Sequence, residues 1–169
     1  MEGFRELARV FEAVRILRSR ITHRVGAVEE VPLLDALGRV CGEDVRAPID
    51  SPGFDRSALD GYAVIAEDTF GASQTNPIQL EVIGESRVGA DPRKLPRIRR
   101  GQAIEIMTGA PIPPGANAVV PVEKARRIGG FVEVYDQVHP NQNVSKRGED
   151  YSRGDLVLGR GWIVKPWHI

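Results

Sequence analysis

The stretch SPGFDRSALDGYAV, residues 51–64, marks the point at which the character of the chain changes. Before it, apolar residues recur at helical spacing; after it, short apolar or alternating runs are separated by Gly, Pro and Asn. The pair Asp60-Gly61 lies near its end, followed at once by Tyr62 and an apolar run. Because glycine adopts backbone torsions that other residues resist, we predict a sharp turn there. That turn would expose a carboxylate and a backbone N–H at the entrance of a strand.

On the N-terminal side the sequence predicts one amphipathic helix that packs on the rest of the chain. Its apolar residues recur at three- and four-residue steps, with Arg and Glu on the other face. They are Leu7, Val10, Phe11, Val14, Leu17 and Ile21. The segment VPLLDALGRV, residues 31–40, predicts a single helical turn that Gly38 ends, and RVCGEDVRAP, residues 39–48, predicts a strand ended by a proline.

The middle of the chain predicts a β-rich unit built from short strands. The runs that predict strands are IQLEVIGESRV, QAIEIM, NAVVPVE and GFVEVYD, and the final segment GDLVLGRGWIVKPWHI is strand-like again. The predicted fold class is therefore α+β.

Composition excludes several classes of protein. Lys plus Arg and Asp plus Glu both number 23, so no net charge would draw the chain to nucleic acid or to an anionic membrane. The single cysteine, Cys41, excludes an internal disulfide, and the start lacks the apolar core of a signal peptide. No apolar run approaches the roughly 20 residues of a membrane span. We therefore expect a cytoplasmic protein with no membrane or nucleic-acid partner.

Two further polar segments are embedded in turns, as the Asp60 segment is. In IMTGAPIPPGANAVVPVE, residues 106–123, prolines stiffen the loop that follows Thr108. In NQNVSKRGEDYSRGD, residues 141–155, Arg147 is followed by Gly148, Glu149 and Asp150. Each dipeptide alone is a common turn. Three irregular polar loops that follow strands of one unit, however, are typical of a binding or catalytic site.

These three segments resemble the signature segments of the molybdopterin molybdenumtransferase family, which includes MoeA proteins and the E domain of gephyrin. Their order and spacing match, as does the preceding segment VPLLDALGRVCGEDVRAP, and the resemblance extends from about Val10 to Pro166. Family members use molybdate and adenylylated molybdopterin. The phosphoanhydride is hydrolysed, AMP leaves, and molybdenum is inserted at the dithiolene sulfurs.

The resemblance also implies an architecture. Residues 1–48 and 140–169 would form a discontinuous, dimerisation-type base domain, and residues 49–139 an inserted β-rich domain. Family enzymes continue into an α/β domain and a small β-barrel domain, so we expect this chain to be the N-terminal portion of such an enzyme, with the later domains either on the full-length chain or on another chain. The resemblance implies a homodimer whose cleft lies between the β-rich domain of one subunit and the later domains of the other. This chain alone is then expected to be inactive.

The resemblance assigns candidate roles to nine residues, and it implies Mg²⁺ or a similar divalent cation with no ligand identified. The candidate catalytic residues are Asp60, Thr108 and Asp150, and Thr108 with nearby backbone N–H groups would donate to phosphate oxygens. The candidate substrate-binding residues are Ser57, Gly61, Tyr62, Gly109, Arg147 and Glu149.

Three positions depart from the family pattern. Asn117 replaces an expected acid, Pro121 interrupts the following strand, and Ser145 stands where a basic residue is common. Two alternatives remain open: a non-catalytic scaffold or partner-binding module derived from that family, and a nucleic-acid-binding β domain that uses PRKLPRIRR, residues 92–100. The prolines of that run and the neutral overall charge favour a solvated loop instead.

Overall fold

The computed structural model describes residues 9–21 and 27–169. Within them it contains one α-helix, several short 3₁₀ turns and ten strands. The helix α1 spans Val10–Arg20. The strands are β1 Val45–Arg46, β2 Arg56–Ser57, β3 Gly61–Val64, β4 Ile78–Ser86, β5 Gln102–Ile106, β6 Ala118–Pro121, β7 Ala125–Ile128, β8 Phe131–Val134, β9 Val144–Ser145 and β10 Leu156–Leu158. The α+β fold class is confirmed.

The helix α1 forms where the apolar spacing predicts it, although Leu7 lies outside the described residues. None of its residues is buried, and the side of the helix that carries Phe11 and Leu17 is exposed. The expectation that this helix packs on the chain is therefore wrong for the described residues. An amphipathic pattern specifies an apolar face, but it does not specify what covers that face.

A six-stranded mixed sheet forms the β-rich part, in the order β6-β3-β5-β4-β8-β7. Only β4 and β5 run parallel; the other neighbours are antiparallel. Side chains alternate between the two faces of a strand, so Tyr62 and Val64 enter one core and Ala63 enters the other. Because both faces of β3 are covered, its sequence is a continuous apolar run rather than an alternating one.

The sheet curls, because its two edge strands are close in sequence. β6 ends at Pro121 and β7 begins at Ala125, joined by the 3₁₀ turn Val122–Lys124, yet these strands lie at opposite ends of the sheet. Four residues of extended chain reach at most about 14 Å. Pro121 therefore ends one edge of the sheet and lets the chain cross to the other.

Two antiparallel segments, residues 45–58 and 143–158, connect the β-rich part to the rest of the chain, and we call them the connecting ribbon. Its ends are the pairs β1–β10 and β2–β9, and a Ser51–Tyr151 bridge lies between them. Beyond β1 and β10, the bridge from Val40 to Ile163 joins the two terminal parts of the chain. A discontinuous base domain requires such pairing; its limits at residues 48 and 140 stay a prediction.

The two short elements predicted within residues 31–48 form in part. The helical turn forms at Leu33–Ala36, and Gly38, with φ of +78°, follows it. The strand predicted over residues 39–48 is reduced to the bridge at Val40 and to β1. Among the described residues, no helix combines the length and apolar character needed to cross a membrane.

Candidate functional site

The three polar segments lie side by side, although they are far apart in the sequence. The segment of residues 51–64 lies between the other two. Its residue Arg56 pairs with Ser145 on one side and bridges to Pro111 on the other. The next residue, Ser57, donates its backbone N–H to the Ala110 carbonyl at 2.9 Å. One short strand therefore holds the Thr108 segment and the Arg147 segment against its two edges.

Two of the three candidate catalytic residues are in direct contact. The Asp60 carboxylate accepts two hydrogen bonds at its Oδ1, one from the Thr108 backbone N–H and one from the Thr108 hydroxyl, each at 2.7 Å. Both residues are exposed, so the pair lies at the surface. The backbone N–H and then the hydroxyl of Thr108 lower the pKa of Asp60 below its ordinary value of 3.8.

The backbone of the Thr108 turn is already hydrogen-bonded within the chain. Gly109, with φ of +80°, donates its N–H to the Ser57 carbonyl at 2.8 Å, and Ala110 donates to the Met107 carbonyl at 2.9 Å. The Thr108 N–H is bound to Asp60. Phosphate oxygens would have to displace these bonds to use the donors that the resemblance assigned to them. The glycine is required here by its positive φ.

Three candidate substrate-binding residues are buried. Ser57 donates its hydroxyl to the Leu59 carbonyl at 2.5 Å. Gly61 lies against β6 so closely that an added Cβ would stand 1.9 Å from the Val120 carbonyl oxygen. Tyr62 packs in the core, where desolvation and then the charge of Glu105 raise the pKa of its hydroxyl. The structure thus gives these residues packing roles, and their contact with a substrate stays a prediction.

The Arg147 segment is fixed by two carboxylates of the connecting ribbon. Asp55 accepts the Arg147 backbone N–H at 2.9 Å and the Lys146 ammonium at 2.8 Å. Asp50 accepts the Arg147 Nε–H at 2.5 Å and the Arg153 backbone N–H at 2.7 Å. Each carboxylate uses both oxygens, so the loop is held at four points.

Both carboxylates favour their ionised form. Hydrogen bonds from the Arg153 N–H and the Arg147 guanidinium lower the pKa of Asp50. Partial burial opposes ionisation of Asp55, but the Arg147 N–H and the Lys146 ammonium outweigh it, so the pKa of Asp55 is also lowered.

The remaining candidates in this segment serve the loop itself. Glu149 accepts the Ser145 hydroxyl at 2.5 Å and the Lys146 backbone N–H at 3.1 Å. Asp150 lies 3.8 Å from the Arg56 guanidinium and donates its backbone N–H to the Ser51 carbonyl. Ser145, the departure from a basic residue, thus has a partner of its own within the turn.

Asn117, which also departs from the family pattern, caps a turn of the β-rich part. Its Oδ1 accepts the Ala66 N–H at 2.7 Å, and its Nδ2 donates to Glu67 at 3.3 Å. A carboxylate at this position would face Glu67, so an amide suits this sequence better than the expected acid.

Sequence reasoning missed Asp50, Asp55, Arg56 and Lys146 as parts of this arrangement. Asp50 and Asp55 enclose a turn-rich stretch, and nothing in their spacing indicates partners about 90 to 100 residues later. The one available signal was the surplus of one basic residue in KRGEDYSR, which has three basic and two acidic residues and can be balanced by a carboxylate elsewhere in the chain.

The described residues do not assemble a metal site from His, Cys, Asp or Glu. Over residues 9–21 and 27–169, no three such side chains lie close enough to hold a metal ion together. The Asp60 Oδ1 is bound to Thr108, and Asp150 is paired with Arg56. These carboxylates by themselves do not fit the oxygen-rich shell that a divalent cation requires.

The basic run PRKLPRIRR lies along the sheet, and part of its charge is neutralised. Arg93 binds Asp91 through two nitrogens at 3.0 Å each, and Arg100 lies 3.7 Å from Asp68. Ile98 of the same run is buried in the core. The contacts agree with a loop that packs on the sheet.

Comparison with known proteins gives the family. Residues 8–169 match the model of the MoeA N-terminal region, domains I and II. A putative molybdopterin biosynthesis protein of Methanocaldococcus jannaschii is 51% identical over 142 residues, which are 84% of this chain and 33% of that protein. The molybdopterin molybdenumtransferase of Bacillus subtilis is 40% identical over 163 residues, which are 93% of this chain and 36% of that protein.

A solved structure agrees with the match. The crystal structure of the molybdopterin biosynthesis MoeA protein from Pyrococcus horikoshii OT3 superposes with a TM-score of 0.77 at 45% identity, over 82% of this chain and 36% of that one. The chain thus spans about a third of the length of these relatives. The resemblance drawn from the three polar segments is confirmed: the chain belongs to the MoeA family of molybdenum cofactor biosynthesis and contains its N-terminal region.

Proposed function

We propose that this chain is the N-terminal part of an enzyme that inserts molybdate into adenylylated molybdopterin and releases AMP. Family membership supports the proposal, and so does one structural observation: the strand Arg56–Ser57 holds the Thr108 and Arg147 segments together. Segments from three distant parts of the sequence therefore meet at one short strand. A rigid scaffold that gathers exposed polar loops in this way is suited to bind a charged substrate.

Arg147 is the residue best placed to bind the phosphoanhydride. Its side chain is 66% exposed, and only its Nε–H is bound within the described residues. The four N–H groups of its terminal nitrogens are left for a phosphate, which guanidinium groups bind in a bidentate manner. This contact would fix the phosphoanhydride that is broken when AMP leaves.

Asp60 and Thr108 would form a second contact. Because Asp60 binds the Thr108 hydroxyl hydrogen through Oδ1, the threonine oxygen is left as an acceptor, and the second oxygen of Asp60 accepts no hydrogen bond among the described residues. The pair can therefore accept hydrogen bonds from water or from the substrate, and the lowered pKa of Asp60 keeps its carboxylate ionised. No step is assigned to Mg²⁺, because the described carboxylates do not fit that ion by themselves.

A homodimer is part of the same proposal, with a cytoplasmic location. The apolar residues of α1 have no cover among the described residues, and Phe11 is 67% exposed. Symmetric pairing of two copies would remove this apolar surface from water. The scaffold alternative shares the dimer but lacks the chemistry, so the reaction itself decides between them.

The test is a chimera. The chain is joined to the remaining part of the Methanocaldococcus jannaschii relative, of which the matched segment is 33%. We expect molybdate-dependent AMP release from adenylylated molybdopterin by the chimera, and none by the chain alone, because the chain supplies one side of the cleft.

Two variants of the chimera then test whether Arg147 takes part in AMP release. Arg147→Ala in the chimera should lower AMP release at least about tenfold, the effect of losing a charge-assisted contact of roughly 1.4 kcal/mol or more. Arg126→Ala, an exposed arginine on β7, is the control and should retain activity. Equal AMP release by the chain alone and the chimera would contradict the proposal, as would full activity of the Arg147→Ala chimera.

A further inference from the structure

One edge of the Arg147 guanidinium is held by a carboxylate that neither the sequence motifs nor the family comparison assigns. The Nε–H of Arg147 binds Asp50 Oδ2 at 2.5 Å, and among the described residues its terminal nitrogens make no hydrogen bond. The Asp50 side chain is only 17% exposed, whereas that of Arg147 is 66% exposed. The carboxylate is thus largely covered, whereas the side chain that carries the remaining N–H groups is mostly open to solvent.

Asp50 cannot move with Arg147, because it is fixed from the other side. Its Oδ1 accepts the Arg153 backbone N–H at 2.7 Å. The neighbouring Gly154 N–H in turn donates to the Ala47 carbonyl at 2.8 Å, within the connecting ribbon. The ribbon backbone therefore sets the position of the Asp50 carboxylate.

The backbone of Arg147 is fixed independently. Its N–H is bound to Asp55, and the next N–H, that of Gly148, donates to the Pro52 carbonyl at 2.9 Å. With the main chain held, the freedom left to Arg147 is rotation about its side-chain bonds. A long side chain loses this freedom when a ligand immobilises it, and that loss weakens binding unless the side chain is ordered beforehand.

We propose that Asp50 is a positioning residue, which orders the Arg147 guanidinium before the substrate arrives and leaves its terminal N–H groups free for phosphate oxygens. The inference rests on the proposed function, in which Arg147 binds the phosphoanhydride. Asp50 itself does not touch the substrate: it acts through Arg147. A guanidinium bound at Nε keeps four N–H donors in a planar fork that matches two phosphate oxygens.

The experiment is a double-mutant cycle on the 169-residue chain, with inorganic pyrophosphate as the probe and nuclear magnetic resonance titration as the readout. The four proteins are wild type, Asp50→Asn, Arg147→Ala and the double variant. Asp50→Asn removes a negative charge, which by itself favours an anion, and it leaves one acceptor oxygen for the two donors that Asp50 binds, so the hold on the guanidinium weakens. The Arg147→Ala background isolates the charge effect, because no guanidinium is left to free.

We expect Asp50→Asn to raise the dissociation constant of pyrophosphate about threefold or more in the wild-type background. In the Arg147→Ala background the same change should leave the dissociation constant unchanged or lower it. Asp44→Asn is the control, since Asp44 also accepts a backbone N–H, from Arg160 at 2.9 Å, but does not contact Arg147. It should leave pyrophosphate binding unchanged, and thermal melting of each variant checks that it folds.

A measurement on the wild type alone gives a second, independent test. If Asp50 orders Arg147, the Arg147 Nε–H stays protected from solvent exchange when pyrophosphate binds. Loss of that protection would show that Asp50 competes with the anion for Arg147, and would overturn the proposal. In the titrations, tighter pyrophosphate binding by Asp50→Asn than by the wild type would overturn it for the same reason. An equal effect of Asp50→Asn in both backgrounds would also overturn it. If instead Arg147→Ala itself has no effect, the proposed anion-binding function fails, and the inference that rests on it fails with it.

Discussion

Asp60 and Thr108 lie 48 positions apart in the sequence and are joined by two hydrogen bonds of 2.7 Å that converge on one carboxylate oxygen. One bond comes from the backbone and one from the side chain, so Asp60 fixes both the turn and the rotamer of Thr108. The entrance of β3 and the end of β5 are thereby coupled at the surface. This contact makes Asp60 a structural anchor as well as a candidate catalytic residue.

Asp60→Asn should change the thermal midpoint little. The amide oxygen has the same position as Oδ1 and can accept both bonds, although an uncharged acceptor binds more weakly. Asp60→Ala removes both bonds and should lower the midpoint clearly more, while Thr108→Val, which removes only the hydroxyl, should fall between them. A midpoint for Asp60→Asn as low as that of Asp60→Ala would show that charge, not the acceptor, holds the turn. In the chimera, near-normal AMP release by Asp60→Asn would exclude Asp60 as a catalytic residue.

Acid should loosen the connecting ribbon. The pKa values of Asp50 and Asp55 are lowered from the ordinary 3.8 by the groups that face them, namely the Arg153 N–H, Arg147 and the Lys146 ammonium. A lowered pKa in the folded state contributes stability that is fully present above 3.8 and is lost as the pH falls through the lowered folded values. The wild-type thermal midpoint should therefore decrease between about pH 5 and pH 2.

The double variant Asp50→Asn/Asp55→Asn provides the comparison for that pH series. It should start from a lower midpoint at neutral pH and then decline less on acidification, because neither position can be protonated. Parallel decline of the wild type and the double variant would exclude these two carboxylates as the source of the acid sensitivity.

Gly61→Ala should destabilise the sheet. A Cβ at this position meets the Val120 carbonyl oxygen at 1.9 Å, and the obstructing atom belongs to a paired backbone, so β3 and β6 would have to separate. Overpacking of this kind costs about 1–3 kcal/mol of unfolding free energy. Denaturant unfolding measures the loss. Gly130→Ala is the control, because no atom lies within 4 Å of its added Cβ, and it should change stability by less than about 0.5 kcal/mol.

Asn117→Ala should cost more than Asn117→Asp. The alanine leaves the N–H of the buried Ala66 without its partner, a loss of about 1–3 kcal/mol. The aspartate keeps an acceptor but places a negative charge beside Glu67, so it should be destabilising to a lesser degree at neutral pH. Adding Glu67→Gln to Asn117→Asp should recover stability. An Asn117→Asp variant as stable as the wild type would contradict this account of the departure from the family pattern.

Sedimentation equilibrium should show a dimer at micromolar concentration, since α1 presents apolar side chains without cover among the described residues. Phe11→Glu/Leu17→Glu should shift the chain to monomer, because charged side chains at an apolar interface are costly to desolvate. Arg15→Glu, on the same helix but outside its apolar set, should leave the dimer intact. A wild-type chain that is monomeric throughout this range would refute the proposed association.

The sequence by itself predicted those features that depend on local pattern. The three-to-four-residue spacing of Val10, Val14 and Leu17 specified α1, and the runs IQLEVIGESRV and QAIEIM specified β4 and β5. The strand β7, ARRI, was missed because its apolar and polar residues do not alternate and half of its four residues are charged. Family membership also followed from sequence, since the three polar segments are long enough to be specific.

How those segments meet depends on the three-dimensional fold. Gly61 was predicted as a turn residue that exposes a backbone group, but it is a glycine because Val120 of β6 leaves no room for a side chain. The spacing of Asp50 and Asp55 in the sequence gives no indication that Lys146, Arg147 and Arg153 become their partners. Side-chain periodicity reports which face of a helix or strand is apolar, whereas ion pairs between distant loops depend on the path of the whole chain. The contacts that fix Arg147 are therefore set by the antiparallel pairing of residues 45–58 with residues 143–158, which no local pattern in either segment records.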